Sequence, residues 1–272
     1  MCDACVMKSV ATSLGRRGMF AAAAAAASVF ALSARPAVAQ AVRSAPVSRV
    51  VDLTHTLRPD FPTFGGDPAF QQERILTFAK DGYNLNRFTY GEHVGTHFDA
   101  PIHFSENGAT VDRIPVESLV CPLVVLDVRE RAAANADYQA TAEDLAAWES
   151  RHGRVPPGAC VALNSGWDGR AGGAGFRNVD AGNAMRFPGF RPDIIPALAE
   201  RGVAAVAVDT LSLDHGGSTT FDFHKTWLGG GRWGIECVAG LGNVPPVGAT
   251  LVAGAPKIAG GTGGHGRVIA LV

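Results

Sequence analysis

Cysteine is scarce in this sequence, and its arithmetic excludes a disulfide-built fold. Of five cysteines, Cys2 and Cys5 fall in a leader-like N-terminus. Their C-x-x-C spacing resembles a redox or zinc motif, but a cleaved peptide serves as neither. Cys121, Cys160 and Cys237 remain, an odd number from which no disulfide framework follows. Cys121 and Cys160 flank apolar, strand-like runs and read as core thiols. Net charge is lacking too. Lys and Arg number 24 against 25 Asp and Glu, which gives no electrostatic reason to expect nucleic acid or an anionic membrane as partner. The glycine-rich stretches Gly229–Gly231 and Gly260–Gly266 lack the G-K-[ST] of a phosphate loop and read as tight turns. Ser165 lacks a G-x-S-x-G context, which argues against a serine hydrolase. There is no internal repeat and no charge run.

What is present suits a soluble protein with a real core: 47% of residues are hydrophobic and 18% charged. The N-terminus has its own pattern. Arg16-Arg17 precede an alanine-dominated apolar run, Met19 to Leu32, which is too short for a membrane anchor. Ala37-Val38-Ala39 then supplies a cleavage signal before Gln40. Together these read as a twin-arginine secretory signal, with Gly15 standing where Ser or Thr is usual. The expected organisation is a cleaved leader at 1–39 and one domain at 40–272, periplasmic or secreted. Met7 serves as well as Met1 as a start. Export after folding in the reducing cytoplasm would need no disulfides.

Along the chain, Val50–Leu57 reads as a first strand, and Phe61–Pro68 as a loop set by Gly65-Gly66 and two prolines. Phe70–Phe78 and Leu85–Tyr90 read as a strand pair around Asp81-Gly82. Cys121–Val128, Cys160–Leu163 and Val203–Val208 are buried strands, with further short ones at Ile235–Val238 and Val268–Val272. Thr141 caps a helix running to His152, with Asp144 in a box-like position and Leu145 and Trp148 facing inward. A second helix spans Pro192–Arg201, closed by Gly202. The aperiodic, glycine-rich Asp168–Gly189 reads as an active-site cover. Helices falling singly between buried strands predict a single-domain α/β fold around a mixed sheet or partial barrel.

The chemistry concentrates in His93–His103, H-V-G-T-H-F-D-A-P-I-H. These eleven residues hold three of the eight histidines and one aspartate. His93, His97 and Asp99 form the two-imidazole, one-carboxylate set of many catalytic zinc, manganese or iron sites. Gly95 and Thr96 are small enough for the three to converge. A bound dication lowers water's pKa from about 15.7 to about 7, roughly 12 kcal/mol towards hydroxide at neutral pH. His103, beyond Pro101, is left to act as general acid or base, a role worth about 10²–10⁴-fold. The alternative, hydrogen-bonded core histidines around a turn, would bury several imidazoles without purpose. His55 reads as structural or substrate-lining. Asp209 and Asp214 read equally as carboxylates behind metal ligands or as strand-end caps. Trp167, Phe187, Trp227 and Trp233 read as core or as a stack for an aromatic substrate.

These residues carry a resemblance. The stretch is similar to the H-x-G-T-H-x-D-x-P-x-H signature of the metal-dependent cyclase-like hydrolase family, which includes bacterial kynurenine formamidases and isatin hydrolases. V-D-L-T-H, F-G-G-D-P and V-D-T-L-S-L-D (208–214) resemble its opening strand, its P-G-D-P loop and its D-T-x-S-[IL]-D segment. The resemblance implies a swivelling β/β/α fold. It makes His93, His97 and Asp99 metal ligands and His103 the catalytic histidine. His224 and Glu236, twelve apart, would complete a second metal site with Asp99 bridging, or hydrogen-bond water or substrate where one ion binds. It also implies Zn or Mn, one or two ions, a small aromatic amide substrate, and a homodimer or larger. The expected reaction is metal-assisted hydrolysis of an amide or lactam C–N bond. A lactone or ester hydrolase, a dehydratase, and a non-catalytic periplasmic metal- or ligand-binding protein are the alternatives.

Overall fold

The computed structural model describes residues 47–272. The leader, with Cys2, Cys5 and the cleavage signal, lies outside the described residues. Thirteen strands follow in chain order. They are β1 (Val50–Asp52), β2 (Phe70–Leu76), β3 (Leu85–Tyr90), β4 (His97–Asp99), β5 (Val120–Asp127), β6 (Gln139–Ala140) and β7 (Cys160–Asn164). After these come β8 (Gly189–Phe190), β9 (Ala205–Val208), β10 (Trp233–Glu236), β11 (Ala249–Gly254), β12 (Gly263–His265) and β13 (Arg267–Leu271). Nine form one curled mixed sheet in the order β1-β13-β11-β5-β7-β9-β10-β4-β12. Strands β5, β7, β9 and β10 run parallel at its centre, and antiparallel strands flank them on both sides. This is the mixed sheet or partial barrel expected from the sequence.

Strand alternation divides the sheet into two chemically different faces. Leu123, Val125, Cys160, Ala162, Ala205 and Ala207 point to one side, joined by Phe98, Ile235 and Leu251. The residues between them, Val124, Leu126, Val161, Leu163, Val206 and Val208, point to the other. There they pack on Leu145 and Trp148 of the Ala142–His152 helix, Ile194 and Leu198 beside the Ile195–Glu200 helix, and Phe223 and Trp227 of the Asp222–Gly229 helix. On β7 and β9 the first face carries small side chains, Cys160, Ala162, Ala205 and Ala207, while the helix-covered face carries Val161, Leu163, Val206 and Val208. Thr141 caps the Ala142–His152 helix in a full capping box with Asp144, and Gly153 ends it.

Several elements differ from expectation. The first strand stops at Asp52, because the Thr54 hydroxyl donates to the Val268 carbonyl and accepts from its amide, doing the work of a ladder pair. The Phe70–Tyr90 hairpin turns through a short helix, Phe78–Asp81, closed by Gly82 at φ 78°. Gly263–His265, read as tight turns, is strand β12, pairing with β4. Glycine is required there by close approach: a Cβ on Gly263 would lie 2.2 Å from the Phe98 carbonyl oxygen. Strand β11 also escaped the sequence reading. Cys121, Cys160 and Cys237 are buried free thiols. Among the described residues no helix is long and apolar enough to cross a membrane.

Candidate active site

Strand β4 places two of the candidate ligands. His97 and Asp99 are two apart, so both leave the strand on the same face, while Phe98 between them points into the opposite core. Antiparallel pairing with β10 sets Glu236 opposite His97, and directly opposed residues share a face. The Asp222–Gly229 helix, packed over that face, brings His224 to the same point. His97, Asp99, His224 and Glu236 are all nearly inaccessible, at 3%, 1%, 3% and 6% exposure. His93 precedes the strand, and His103 follows it on the Pro101–Phe104 turn. The structure therefore gathers all six predicted residues.

Each ligand-type imidazole has one nitrogen engaged from behind and the other turned to the carboxylates. The His97 Nδ1 bonds the Gly95 carbonyl at 2.8 Å. Its Nε2 lies 3.4 Å from Asp99 and 3.3 Å from Glu236 without forming a hydrogen bond. The His224 Nδ1 meets Asp214 at 2.6 Å, and its Nε2 meets Glu236 at 2.9 Å and lies 3.5 Å from Asp99. The His93 Nε2 meets the Thr262 hydroxyl, which donates to Glu92, while its Nδ1 meets Asp99 at 2.8 Å. Backing partners of this kind fix ring orientation and tautomer at metal sites. Asp214 also accepts the Phe223 and His224 amides, so it is helix cap and imidazole support at once.

The electrostatics ask for a cation. Burial alone would lower the His97 pKa, but Asp99, Cys237 and Glu236 beside it raise it well above its ordinary value. The same contest at His224, burial against Asp214, Asp99 and Glu236, ends well above its ordinary value. Burial would raise the Asp99 carboxyl, yet His224, His93 and His97 hold it well below the carboxylate range. Buried carboxylates thus draw positive charge onto the imidazoles, and the Asp99 Oδ2 and His97 Nε2 are left without hydrogen-bond partners. One ligand atom each from His97, Asp99 and Glu236 falls within 4.8 Å of the others, as does one each from His93, Asp99 and His103. These are hard and borderline donors of the kind that suit Zn or Mn. The residues fit a divalent ion.

His103 is placed differently. Its ring stacks on His93 at 3.8 Å, and no protein group among the described residues bonds its nitrogens. Burial pushes its pKa down to about 4, so its ring is neutral at pH 7. The cluster opens on a chamber of about 290 Å³ walled by Phe64, Phe104 and Phe221, near the lower end of small-ligand sites. Cys237 also lines it, with its thiol pushed up to about 11 by burial, which excludes a ready thiolate nucleophile. A larger open groove of about 810 Å³ lies between Asp127, Arg129 and Arg151; it contains none of the clustered ligands.

The remaining candidates settle between the readings the sequence left open, and the expected cover is corrected. Trp167, Phe187, Trp227 and Trp233 are buried and none lines the chamber; three phenylalanines do so instead. Phe104 follows His103 directly, a signal within reach of the sequence. The 168–189 segment contributes nothing to the chamber wall. It packs through Phe176 and Phe187 with Phe61, and the Arg177 guanidinium donates to the Phe64 carbonyl. It therefore braces a wall rather than covering the site. His55 is away from the chamber, packed on Phe61 and Phe176. Asp209 is also away from the cluster and accepts from Ser165 and the Trp167 amide.

A curled mixed sheet with a small aromatic chamber and a buried imidazole–carboxylate centre able to hold a divalent ion defines the class of this α/β protein. The family model described as putative cyclase matches residues 51–215, and the chain belongs to the cyclase family. The chain is 32% identical over 241 residues to the isatin hydrolase of Roseibium aggregatum, covering 82% of this chain and 91% of that protein. It is 29% identical over 222 residues to the kynurenine formamidase of Salinibacter ruber, covering 81% and 96%. A solved isatin hydrolase A from Labrenzia aggregata, bound to benzyl benzoate, superposes with TM-score 0.78 and 38% identity, covering 82% and 93%. The family match ends before His224 and Glu236, so their placement rests on the geometry above.

Proposed function

We propose that this chain is a metal-dependent hydrolase that cleaves an amide or lactam C–N bond in a small aromatic substrate. One observation carries the reading: a buried His97–Asp99–Glu236 cluster with unpartnered donor atoms opens directly on the phenylalanine-walled chamber. The names of the relatives, isatin hydrolase and kynurenine formamidase, support the bond class. His97, Asp99 and Glu236 would hold a Zn or Mn ion, with His93 and His224 alongside or around a second. When bound, such an ion supplies Lewis acidity, bringing a water's pKa to about 7 and polarising the scissile carbonyl.

The chain's own residues do the rest. Phe64, Phe104 and Phe221 hold the aryl group and exclude water from the reacting bond. His103, neutral and unbonded, accepts the proton released as water attacks. It then returns that proton to the departing nitrogen, the two halves of one acid–base cycle. Asp214 holds the His224 ring, and the Gly95 carbonyl holds that of His97. The test is a panel of N-formylanilines, isatin and aryl lactones assayed with metal-loaded protein. Turnover of the amides is expected, and activity on lactones alone overturns the assignment. Metal retained with no turnover of any of them would make the protein a binding protein.

Two further readings belong here. The 1–39 leader is proposed to direct twin-arginine export; mass spectrometry of the mature chain should give Gln40 as its first residue, and a soluble cytoplasmic chain retaining Met1 or Met7 overturns it. A homodimer is proposed, and the exposed Phe78, Tyr83 and Phe88 of the β2–β3 hairpin are the apolar surface it would cover. Sedimentation at micromolar concentration should show a dimer or larger; a monomer contradicts it.

A further inference from the structure

Thr262 lies between Gly261 and Gly263, where the chain enters β12. Neither glycine can gain a side chain without displacing a neighbour. A Cβ on Gly261 would lie 3.0 Å from the Glu92 Oε1, and one on Gly263 would lie 2.6 Å from the His93 Cε1. The backbone here is pinned. The Gly261 carbonyl accepts from the Val111 amide, and the Thr262 carbonyl accepts from the Ala100 amide, both at 2.9 Å. Strand β12 then pairs Gly263 with Asp99. Two bare positions in a fixed strand entrance thus bring the Thr262 hydroxyl between Glu92 and His93, which are adjacent on another segment.

The hydrogen bonds through that hydroxyl run one way. The Glu92 carboxylate accepts twice, at Oε1 from the Thr262 amide at 3.1 Å and at Oε2 from the Thr262 hydroxyl. A carboxylate offers acceptors only, and a hydroxyl has one proton. With that proton turned to Glu92, the Thr262 oxygen is left to accept from the His93 Nε2 at 2.9 Å. The Nε2 therefore carries a proton. On a singly protonated ring the lone pair open to an ion is that of Nδ1, which faces Asp99 at 2.8 Å. His97 and His224 are fixed by a carbonyl and a carboxylate acting directly; His93 is fixed through a hydroxyl.

We propose that Glu92 is a positioning residue, which acts through Thr262 to keep the proton on the His93 Nε2 and leave Nδ1 to bind a divalent ion beside Asp99. This rests on the reading of the cluster as a metal site. The geometry makes the effect of one substitution definite. In Glu92→Gln the Thr262 amide still needs an acceptor, so the carboxamide oxygen stays there and the NH2 group faces the hydroxyl. The hydroxyl then turns its proton to the His93 Nε2, and the ring's own proton moves to Nδ1, pointing at Asp99. The side chain keeps its shape while the chain of hydrogen bonds is reversed.

The test reads the ring and the ion separately. Zn²⁺ affinity is measured by chelator competition. Long-range ¹H–¹⁵N correlation spectra of ¹⁵N-histidine-labelled protein, metal-free and Zn²⁺-loaded, report whether the His93 Nε2 carries a proton. Wild type should hold that proton in both states. Glu92→Gln should lose it and bind Zn²⁺ about 10–100-fold more weakly. Thr262→Ser, which keeps the hydroxyl, should match wild type in both readouts, whereas Thr262→Val should weaken Zn²⁺ binding as Glu92→Gln does. Combining Glu92→Gln with Thr262→Val should weaken it little further, since both act through one chain of bonds. An Nε2 proton retained in Glu92→Gln, an unchanged Zn²⁺ affinity there, Thr262→Ser as weak as Thr262→Val, or fully additive losses overturns the proposal. If wild type binds no Zn²⁺, the metal reading fails, and the Nε2 comparison in the metal-free proteins still decides whether Glu92 sets the ring.

Discussion

The deep and outer poles of the site are built by opposite rules. At the deep pole His97, Asp99, His224 and Glu236 are almost fully buried, and both rings are fixed from behind by the Gly95 carbonyl and Asp214. At the outer pole the His93 side chain is 26% exposed, and the half-buried His103 touches it by stacking alone. Buried, backed imidazoles facing carboxylates cannot easily move or change charge, which suits holding an ion. A neutral imidazole without a hydrogen bond can change partners, which suits moving a proton. Asp99 belongs to both poles and ties one to the other.

The largest effect should come from emptying the deep pole. His97→Ala should lose bound metal and detectable hydrolysis together, as elemental analysis and the amide panel would show. With its partner gone, a buried carboxylate is left uncompensated, at a cost of about 3–5 kcal/mol readable by urea denaturation. His103→Ala should behave in the opposite way. It should keep its metal and its stability while kcat falls about 10²–10⁴-fold. If both variants lost metal equally, the distinction between the poles would break. Asp214→Asn keeps shape but removes the charge behind His224, and should weaken metal affinity about 10–100-fold in a chelator competition.

The smallest effect lies outside both poles and serves as a control. Burial pushes the Asp209 carboxyl up to about 7, outweighing its hydrogen bonds from Ser165 and Trp167. Its folded value therefore lies above the unfolded value of about 3.9. Its contribution to stability is full below about pH 4 and is lost as pH rises through 7. Between pH 6 and 8.5 wild type should lose about 1.4 kcal/mol from this group. Asp209→Asn, which can accept the same amides, should lack that loss in denaturation curves while hydrolysing normally.

The two poles were also unequally legible in the sequence. His93 to His103 lie in one run, and the alternation of His97 and Asp99 shows that any strand there would set both on one face. Glu236 carries no such signal. It meets His97 across 139 residues through the β4–β10 register, and, like His224, it was reached only through the family resemblance. The Gly263–His265 strand was misread because glycines usually mark turns, whereas here they let β12 approach Phe98 and His93. The tryptophans went into the core because large apolar side chains are best buried, leaving the chamber to phenylalanines brought together by tertiary packing.

The division of the site is tested most directly by an anomalous difference map collected at the metal's absorption edge from crystals of the metal-loaded protein. The account predicts a peak within bonding distance of the His97 Nε2, Asp99 and Glu236, with the His103 ring free of any ion. A peak ligated by His103, in the His93–Asp99–His103 grouping, would contradict it.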